Sequence, residues 1–276
     1  MTVFELISRH FHNAAEMLLL AFGFFVLALV VKGKRAIADG RAAAAETKSN
    51  AMLYVVDQLT VAPAFVLAAA AFSNWVHPAG TAIPFAAFWT ALGPIGAVAV
   101  TLFLCDFIGY VTHRIYHTAA LWPVHALHHS DTHLTWFSLI RQHPFDRVGS
   151  LIDLLGLIIL GAPDWAVLIA LPIRHYYGHV IHADLPWTLG PLNWVFVSPA
   201  MHRWHHAREQ RGSGVNFATV FSVFDRAFGT LYAPGPCSVP TGIDEAIAPG
   251  LTGQYLHPFR VWTAALKPAS PATAGN

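Results

Sequence analysis

Charged residues are scarce in this 276-residue chain, and cysteine is scarcer still. Asp, Glu, Lys and Arg together make up 11% of the residues, less than half of the share of about 25% that is usual in soluble domains. The net charge is only +1 and no basic helix or stripe is visible, so nothing predicts a nucleic-acid partner. The two cysteines, Cys105 and Cys237, exclude a disulfide framework and a cysteine-based zinc site.

Apolar residues take the place of the missing charge. They make up 55% of the chain, and the mean hydropathy of +0.49 is typical of a membrane protein. Three apolar runs, at residues 14–31, 51–72 and 85–105, are each close to the roughly 20 residues that a membrane-spanning helix needs. Because the basic sequence "KGKR" follows the first run where a cleavage site would be expected, we interpret that run as a helix and not as a signal peptide.

Basic residues predict the orientation of these helices. The loop after the first run carries five of them, whereas the loop "SNWVHPAGTAIP" after the second carries none. Short cytoplasmic loops are enriched in Lys and Arg, so the first loop is expected to be cytoplasmic and the third run to return the chain to that side. The five basic residues are Lys32, Lys34, Arg35, Arg41 and Lys48.

A fourth apolar stretch, at residues 151–172, is interrupted by "GAPD" at residues 161–164. Gly and Pro end a helix, and Asp164 is suited to cap the next one. Ten residues of helix rise only about 15 Å, half of a hydrocarbon core. We therefore predict a re-entrant hairpin; the alternative is a fourth full crossing, which would separate two groups of histidines.

Histidine is abundant, and its spacing is the strongest signal in the chain. Thirteen of the 17 histidines lie between positions 113 and 206. Spacings of three, four and seven residues place side chains on one face of a helix, where several rings can reach one metal ion. Four such rows occur: His113 and His117; His125, His128 and His129; His175, His179 and His182; His202, His205 and His206.

The number of histidines favours two metal ions. Imidazole suits Zn, Cu, Fe and Ni, and one ion takes four to six ligands, fewer than these rows offer. Histidine ligands usually donate their second N–H to a carboxylate or carbonyl. Asp106, Asp184 and Asp225 lie near the rows and are predicted to take that part; the alternative is ordinary capping or a surface ion pair.

Four stretches of the chain resemble the fatty acid hydroxylase/sterol desaturase superfamily, whose members are integral membrane di-iron proteins. The stretches occur in the order of that superfamily and cover nearly half of the chain: "DFIGYVTHRIYH", "HALHHSDTHLTWFSLIRQHP", "HADLPWTLGPLNWVFVSPAMHRWHH" and "VNFATVFSVFDRAFGTLY". One departure is Asp184, where the superfamily often has Asn. The resemblance implies a transmembrane region at residues 1–105, a di-iron domain at 106–233 and a C-terminal tail at 234–276.

The resemblance also implies most of the ligands of the two iron ions. His182 is carried over with the eight histidines of the other three rows. His179 is added because it shares a helix face with His182, and whether His175 is also a ligand stays open. The predicted metal ligands are therefore His113, His117, His125, His128, His129, His179, His182, His202, His205 and His206.

The resulting expectation is an all-α, integral membrane helical bundle with about three transmembrane spans, a re-entrant hairpin and a cytoplasmic histidine-rich di-metal cap. We predict O2-dependent hydroxylation of a C–H bond in a lipid from the bilayer, with desaturation on the same site as the alternative. No dinucleotide, haem or Fe–S motif is visible, so a ferredoxin, a cytochrome b5-like protein or a reductase would supply electrons. A membrane metal transporter is the remote alternative, because transport ligands are expected in mid-span.

Overall fold

The computed structural model describes residues 3–208 and 214–266, and its described part is helical. Within those ranges, extended chain contributes only two isolated bridges, Phe196–Phe221 and Ala207–Thr241. The all-α prediction is confirmed. The α-helices are α1 (Val3–Lys32), α2 (Arg35–Ala42), α3 (Ala44–Val56), α4 (Ala62–Val76), α5 (Ala86–Ala91), α6 (Gly93–Tyr116), α7 (Trp122–His129), α8 (Arg147–Ile159), α9 (Asp164–His182), α10 (Pro199–His205), α11 (Val223–Ala227), α12 (Gly250–Tyr255) and α13 (His257–Ala265). A π-helix (Asp57–Val61) and two 3₁₀-helices (Trp136–Ile140 and Gly190–Trp194) complete the helical segments.

Three segments are long and apolar enough to cross a membrane: Ala15–Lys32, Ala44–Val76 and Gly93–Tyr116. Their number agrees with the sequence prediction, and the protein is a membrane protein. The third membrane-crossing helix, α6, begins at Gly93 and not at residue 85. Gly93 adopts a left-handed φ of 62°, and Pro94 fits only the first turn of a new helix.

Helices α8 and α9 form the expected hairpin, and both pack against α6. The turn contains Gly161, whose φ is 62°. Asp164 is the first residue of α9 and does not cap it, since Pro163 occupies the cap position. With 13 and 19 residues, the arms rise about 20 and 28 Å, farther than the predicted 15 Å. The chain leaves the histidine-rich end along α8 and returns to it along α9, so a single crossing by this stretch is excluded.

The basic loop lies on the same side of the molecule as the histidines. Lys32 at the end of α1 forms an ion pair with Asp184, two residues after His182. Glu46 on α3 accepts the backbone N–H groups of Thr132 and His133 at 2.7 and 3.0 Å. Helix α6 runs without a break through residues 105 and 106, so the predicted domain boundary falls inside a helix that carries the first histidine of the site.

Candidate metal centre

Five histidines form a first group at the end of the bundle. His113 comes from the last turn of α6 and His117 directly follows that helix, while His125 and His129 come from α7 and His205 from α10. One ring nitrogen of each lies within 4.8 Å of those of the other four. Within this group, His113 Nε2 and His125 Nε2 are 3.0 Å apart.

Four further histidines, His128, His182, His202 and His206, form a second group by the same criterion. The Nε2 atom of His182 is 3.2 Å from that of His128 and 3.0 Å from that of His202. His206 Nε2 lies 3.2 Å from His202 Nε2. All four side chains are buried.

The spacing of the nitrogen atoms fits metal ligands. Two ligands with bonds of about 2.05 Å to one ion are about 2.9 Å apart at a right angle and about 3.3 Å apart in a tetrahedron. The Nε2–Nε2 distances of 3.0–3.2 Å within the two groups lie in that range. His129 Nε2 and His205 Nε2 are buried and have no hydrogen-bond partner within the described residues, as expected for donors that point at a metal position.

Five rings are fixed by hydrogen bonds from the nitrogen that faces away from the site. His113 donates Nδ1–H to Phe217 O at 2.7 Å, and His205 donates to Val215 O at 2.7 Å. In the second group, His128 and His182 donate to the carbonyls of Arg141 (3.2 Å) and Gly178 (2.7 Å). These acceptors select the tautomer whose Nε2 lone pair faces the group.

The fifth acceptor, Asp146, is a residue that the sequence reasoning missed. Its two carboxylate oxygens lie 3.0 and 3.1 Å from His125 Nδ1. Burial alone would raise the pKa of Asp146, but the His125 ring and its hydrogen bond hold that pKa below its ordinary value. The carboxylate is therefore ionised and strengthens His125 as a donor. The sequence feature that could have pointed to Asp146 is its position at the end of "RQHPFD", directly before α8.

The three aspartates that were predicted to support the histidines have other partners in the structure. Within the described residues, none of them has a hydrogen bond to a histidine of the two groups. Asp184 pairs with Arg203 at 2.8 Å and with Lys32. Asp106 and Asp225 act indirectly, through a loop.

This loop, residues 215–221, carries both carbonyls that bind the first group. Asp225 accepts the N–H groups of Phe217 and Ala218 at 2.7 and 3.1 Å. Asp106 accepts those of the next three residues of the loop at 2.7–3.2 Å, and the guanidinium of Arg174 at 3.0 Å. The two buried aspartates therefore hold Phe217 O in place against His113.

His179 lies outside both groups. Its Nδ1 donates to Trp136 O at 2.8 Å, and its Nε2 is 3.3 Å from His175 Nε2 on the previous turn of α9. The structure thus brings nine of the ten predicted ligands together and pairs the tenth with His175, whose role the sequence left open.

Burial favours the neutral form of five of these histidines. It lowers the pKa of His128 to about 3, and together with the neighbouring rings it holds the pKa of His129, His202, His205 and His206 well below 6.5. Neutral imidazole is the form that binds a metal ion, so the site is in its ligand state at neutral pH.

A cavity of about 510 Å³ borders both groups. His113 and His125 of the first group and His128, His182 and His202 of the second line one part of it. The rest extends between α1, the π-helix, α6, α8 and α9, and it is bordered by Glu16, Asp57 and Arg147 among others. The two groups could therefore hold metal ions, and five of their nine histidines border a cavity among the helices.

Residues 98–230 match the family model for fatty acid hydroxylase. These residues belong to the fatty acid hydroxylase family. The matched range contains both histidine groups, the hairpin and the supporting loop, so the family resemblance seen in the sequence is confirmed. No solved structure matches the chain.

Curated proteins that are similar to this chain include an ornithine lipid hydroxylase of Rhizobium tropici, which is 31% identical over 176 residues, 62% of this chain and 53% of the relative. The alkylglycerol monooxygenase of Caenorhabditis elegans is 31% identical over 134 residues, 48% of this chain and 26% of the relative. The alkylglycerol monooxygenase of Homo sapiens is 28% identical over 169 residues, which are 57% of this chain and 36% of the relative. The chain thus spans about half of the length of the first relative, and less of the other two.

Proposed function

We propose that this protein is a membrane-bound di-iron oxidoreductase that uses O2 to hydroxylate a C–H bond of a lipid. The observation that carries the proposal is the presence of two histidine groups, of five and four rings, beside one cavity in a membrane-embedded helical bundle. The relatives support it, since two are named for hydroxylation or monooxygenation and one for a lipid that it hydroxylates.

Each histidine group would hold one iron ion. Iron bound there would supply O2 activation: one oxygen atom enters the C–H bond and the other leaves as water, at the expense of two electrons and two protons. The protein supplies nine nitrogen donors, of which at least five are fixed by a hydrogen bond on the far side of the ring, and a cavity next to both groups. We leave His179 out of the proposed ligand set.

Electrons would come from a separate donor protein, a ferredoxin, a cytochrome b5-like protein or a reductase. We propose that the donor reaches the site from the cytoplasm, because the basic loop after α1 contacts the histidine-bearing end of the protein and basic loops are cytoplasmic. In a Cys237→Ser background, Ala42→Cys, an exposed position between the first two membrane-crossing segments, should react with a membrane-impermeant thiol reagent only after the cells are opened. Labelling of intact cells would contradict this orientation.

Hydroxylation is tested by growing an expressing host under heavy-isotope oxygen gas and comparing its lipids by mass spectrometry. The account predicts a lipid that gains one labelled oxygen atom with the wild-type protein but not with His128→Ala. Desaturation on the same site would instead remove two hydrogen atoms and leave no label. A lipid profile that does not depend on the wild-type protein would contradict both activities.

Metal transport is disfavoured by where the histidines lie. Ionisable groups of a transport path are expected in mid-span, whereas His113 and His117 stand at the end of the third membrane-spanning helix and the remaining seven histidines follow it.

A further inference from the structure

Polar side chains form a large part of the wall of the cavity beside the histidines, although helices that are apolar enough to cross a membrane border it. Only five of its lining residues carry aliphatic or thioether side chains: Met17, Leu139, Ile140, Leu154 and Leu171. A cavity for a hydrocarbon chain would be lined mainly by such side chains. Because a polar group away from water is costly unless it is paired, the polar part of this wall fits a polar ligand better than a hydrocarbon.

A polar anchor lies in the wall, on the second membrane-spanning helix. Asp57 Oδ1 accepts Arg147 Nε at 3.0 Å, and both side chains line the cavity. About one fifth of the Asp57 side chain and 29% of that of Arg147 remain exposed. Ionisable residues inside membrane-spanning segments are rare and commonly mark a ligand pathway.

The backbone supports this assignment independently. Asp57 and Gln58 begin the five-residue π-helix that interrupts the second membrane-spanning helix. The wider turn directs both of these side chains into the cavity, while Leu59 on the same turn is 58% exposed. Single π-turns in long helices occur frequently at functional sites.

The anchor is close to the metal centre. Asp146, whose carboxylate bonds to His125, directly precedes Arg147 in the chain, and neighbouring Cα atoms are about 3.8 Å apart. Arg147, Asp57 and five of the histidines line the same cavity, so a group held by the ion pair shares that cavity with the histidines. The cavity volume of 510 Å³ is in the range of about 300–1,000 Å³ that receives drug-sized groups, not a whole two-chain lipid.

Building on the proposed function, we propose that this cavity binds the polar headgroup of the lipid substrate, with Asp57, Gln58 and Arg147 as specificity-determining residues. The oxidised carbon then lies in the headgroup or next to it, and the acyl chains stay in the bilayer. The headgroup carries both hydrogen-bond donors, which Asp57 accepts, and acceptors, which Arg147 and Gln58 satisfy. A zwitterionic head and an uncharged polyhydroxyl head share this chemistry.

Binding of three single-chain probes tests the proposal. The 276-residue protein, purified in detergent and kept without reductant, is titrated by native mass spectrometry with hexadecylphosphoethanolamine, 1-hexadecanoylglycerol and methyl hexadecanoate, which has no headgroup beyond its ester. At least one of the first two should bind about tenfold or more tightly than the third. Preference for the first identifies a zwitterionic head, and preference for the second identifies hydroxyl groups.

Two variants locate the binding, and one serves as the control. Gln58→Leu and Arg147→Gln should each weaken the binding of the preferred probe about tenfold, whereas Thr60→Val on the same π-helix should bind it as the wild type does. Gln58→Leu removes the hydrogen bond that Gln58 donates to Asp57 Oδ2 at 3.4 Å but keeps both members of the Asp57–Arg147 ion pair. A melting temperature in detergent equal to that of the wild type shows that this variant is folded.

Three results would overturn the proposal: equal affinity for methyl hexadecanoate, no binding of any probe, or unchanged binding in both cavity variants. The titration involves no turnover. A protein that binds the headgroup probes but oxidises nothing would refute the proposed activity and leave this inference intact.

Discussion

At the scale of single residues, the partners of the histidines determine how the site works. His113 donates to a carbonyl that lies 104 residues farther along the chain, and His128 to one that lies 13 residues away. The spacing of the histidines predicts which rings share a helix face, but it carries no information on backbone carbonyls brought up by a remote loop. The ligand candidates were therefore predictable, whereas most of the groups that orient them were not.

Asp146→Asn should weaken metal binding in the first group. The amide oxygen can still accept the His125 N–H at the same place, but the negative charge that makes His125 a stronger donor is lost. Changes in such supporting groups cost about 10–100-fold in metal affinity. The measurement is the metal retained after dialysis against graded concentrations of a chelator.

Asp184→Asn is the matched control for that change, because Asp184 pairs with Arg203 and Lys32 and not with a histidine. It should retain metal as the wild type does. Equal retention in the two variants would show that the Asp146–His125 contact does not support a ligand.

At the scale of elements, the interruptions of helices were predictable only where Gly or Pro causes them. "GAPD" predicted the hairpin, and the turn at Gly161 lies within it. The start of the third span at Gly93 follows the same rule but was missed, because the apolar run continues across it. The π-helix contains neither Gly nor Pro. It is tied to the rest of the protein by the ion pair between Asp57 and Arg147, which are 90 residues apart in the chain.

Gly161→Ala should destabilise the hairpin strongly. A Cβ atom at this position would lie 2.4 Å from the carbonyl oxygen of Pro84, and the left-handed φ of 62° disfavours any side chain. Gly190→Ala is the control, since Gly190 has a similar φ of 52° but no atom within 4 Å of the added Cβ. The conformational cost of about 1–2 kcal/mol applies to both variants, and the clash with the backbone applies only to the first.

Thermal denaturation in detergent distinguishes the two glycine variants. Gly161→Ala should melt well below Gly190→Ala, and Gly190→Ala slightly below the wild type. Equal melting temperatures for the two variants would mean that the hairpin does not pack against residues 83 and 84 as described.

At the scale of the whole molecule, packing decides how the histidines are divided. His128 and His129 are neighbours in the chain but belong to different groups, as do His205 and His206. Successive helical residues point about 100° apart, so a helix that lies between the two histidine groups can place one histidine in each group. The sequence predicted two metals from the number of rings, but the division into five and four depends on how α6, α7, α9 and α10 meet.

The metal-free protein should lose stability as the pH falls below about 6.5. The unfolded chain binds protons on its histidines near that pH, whereas burial keeps the pKa of His128 at about 3 and that of His129 well below its usual value. The unfolded state therefore binds more protons between these limits, and acid favours it. The melting temperature of the metal-free protein should therefore be lower at pH 5 than at pH 8. This difference should be smaller in a variant with His128 and His206 replaced by Gln, because that variant has fewer buried histidines.

The most direct test of the account is the metal content of the detergent-purified protein, expressed with added iron and measured by elemental analysis. The account predicts two metal ions per chain in the wild type. With His182 and His202 both replaced by Ala, the second group loses two of its four rings, and about one ion per chain should remain. Intact wild-type protein that holds no metal after iron is supplied, or a double variant that still holds two ions, would contradict it.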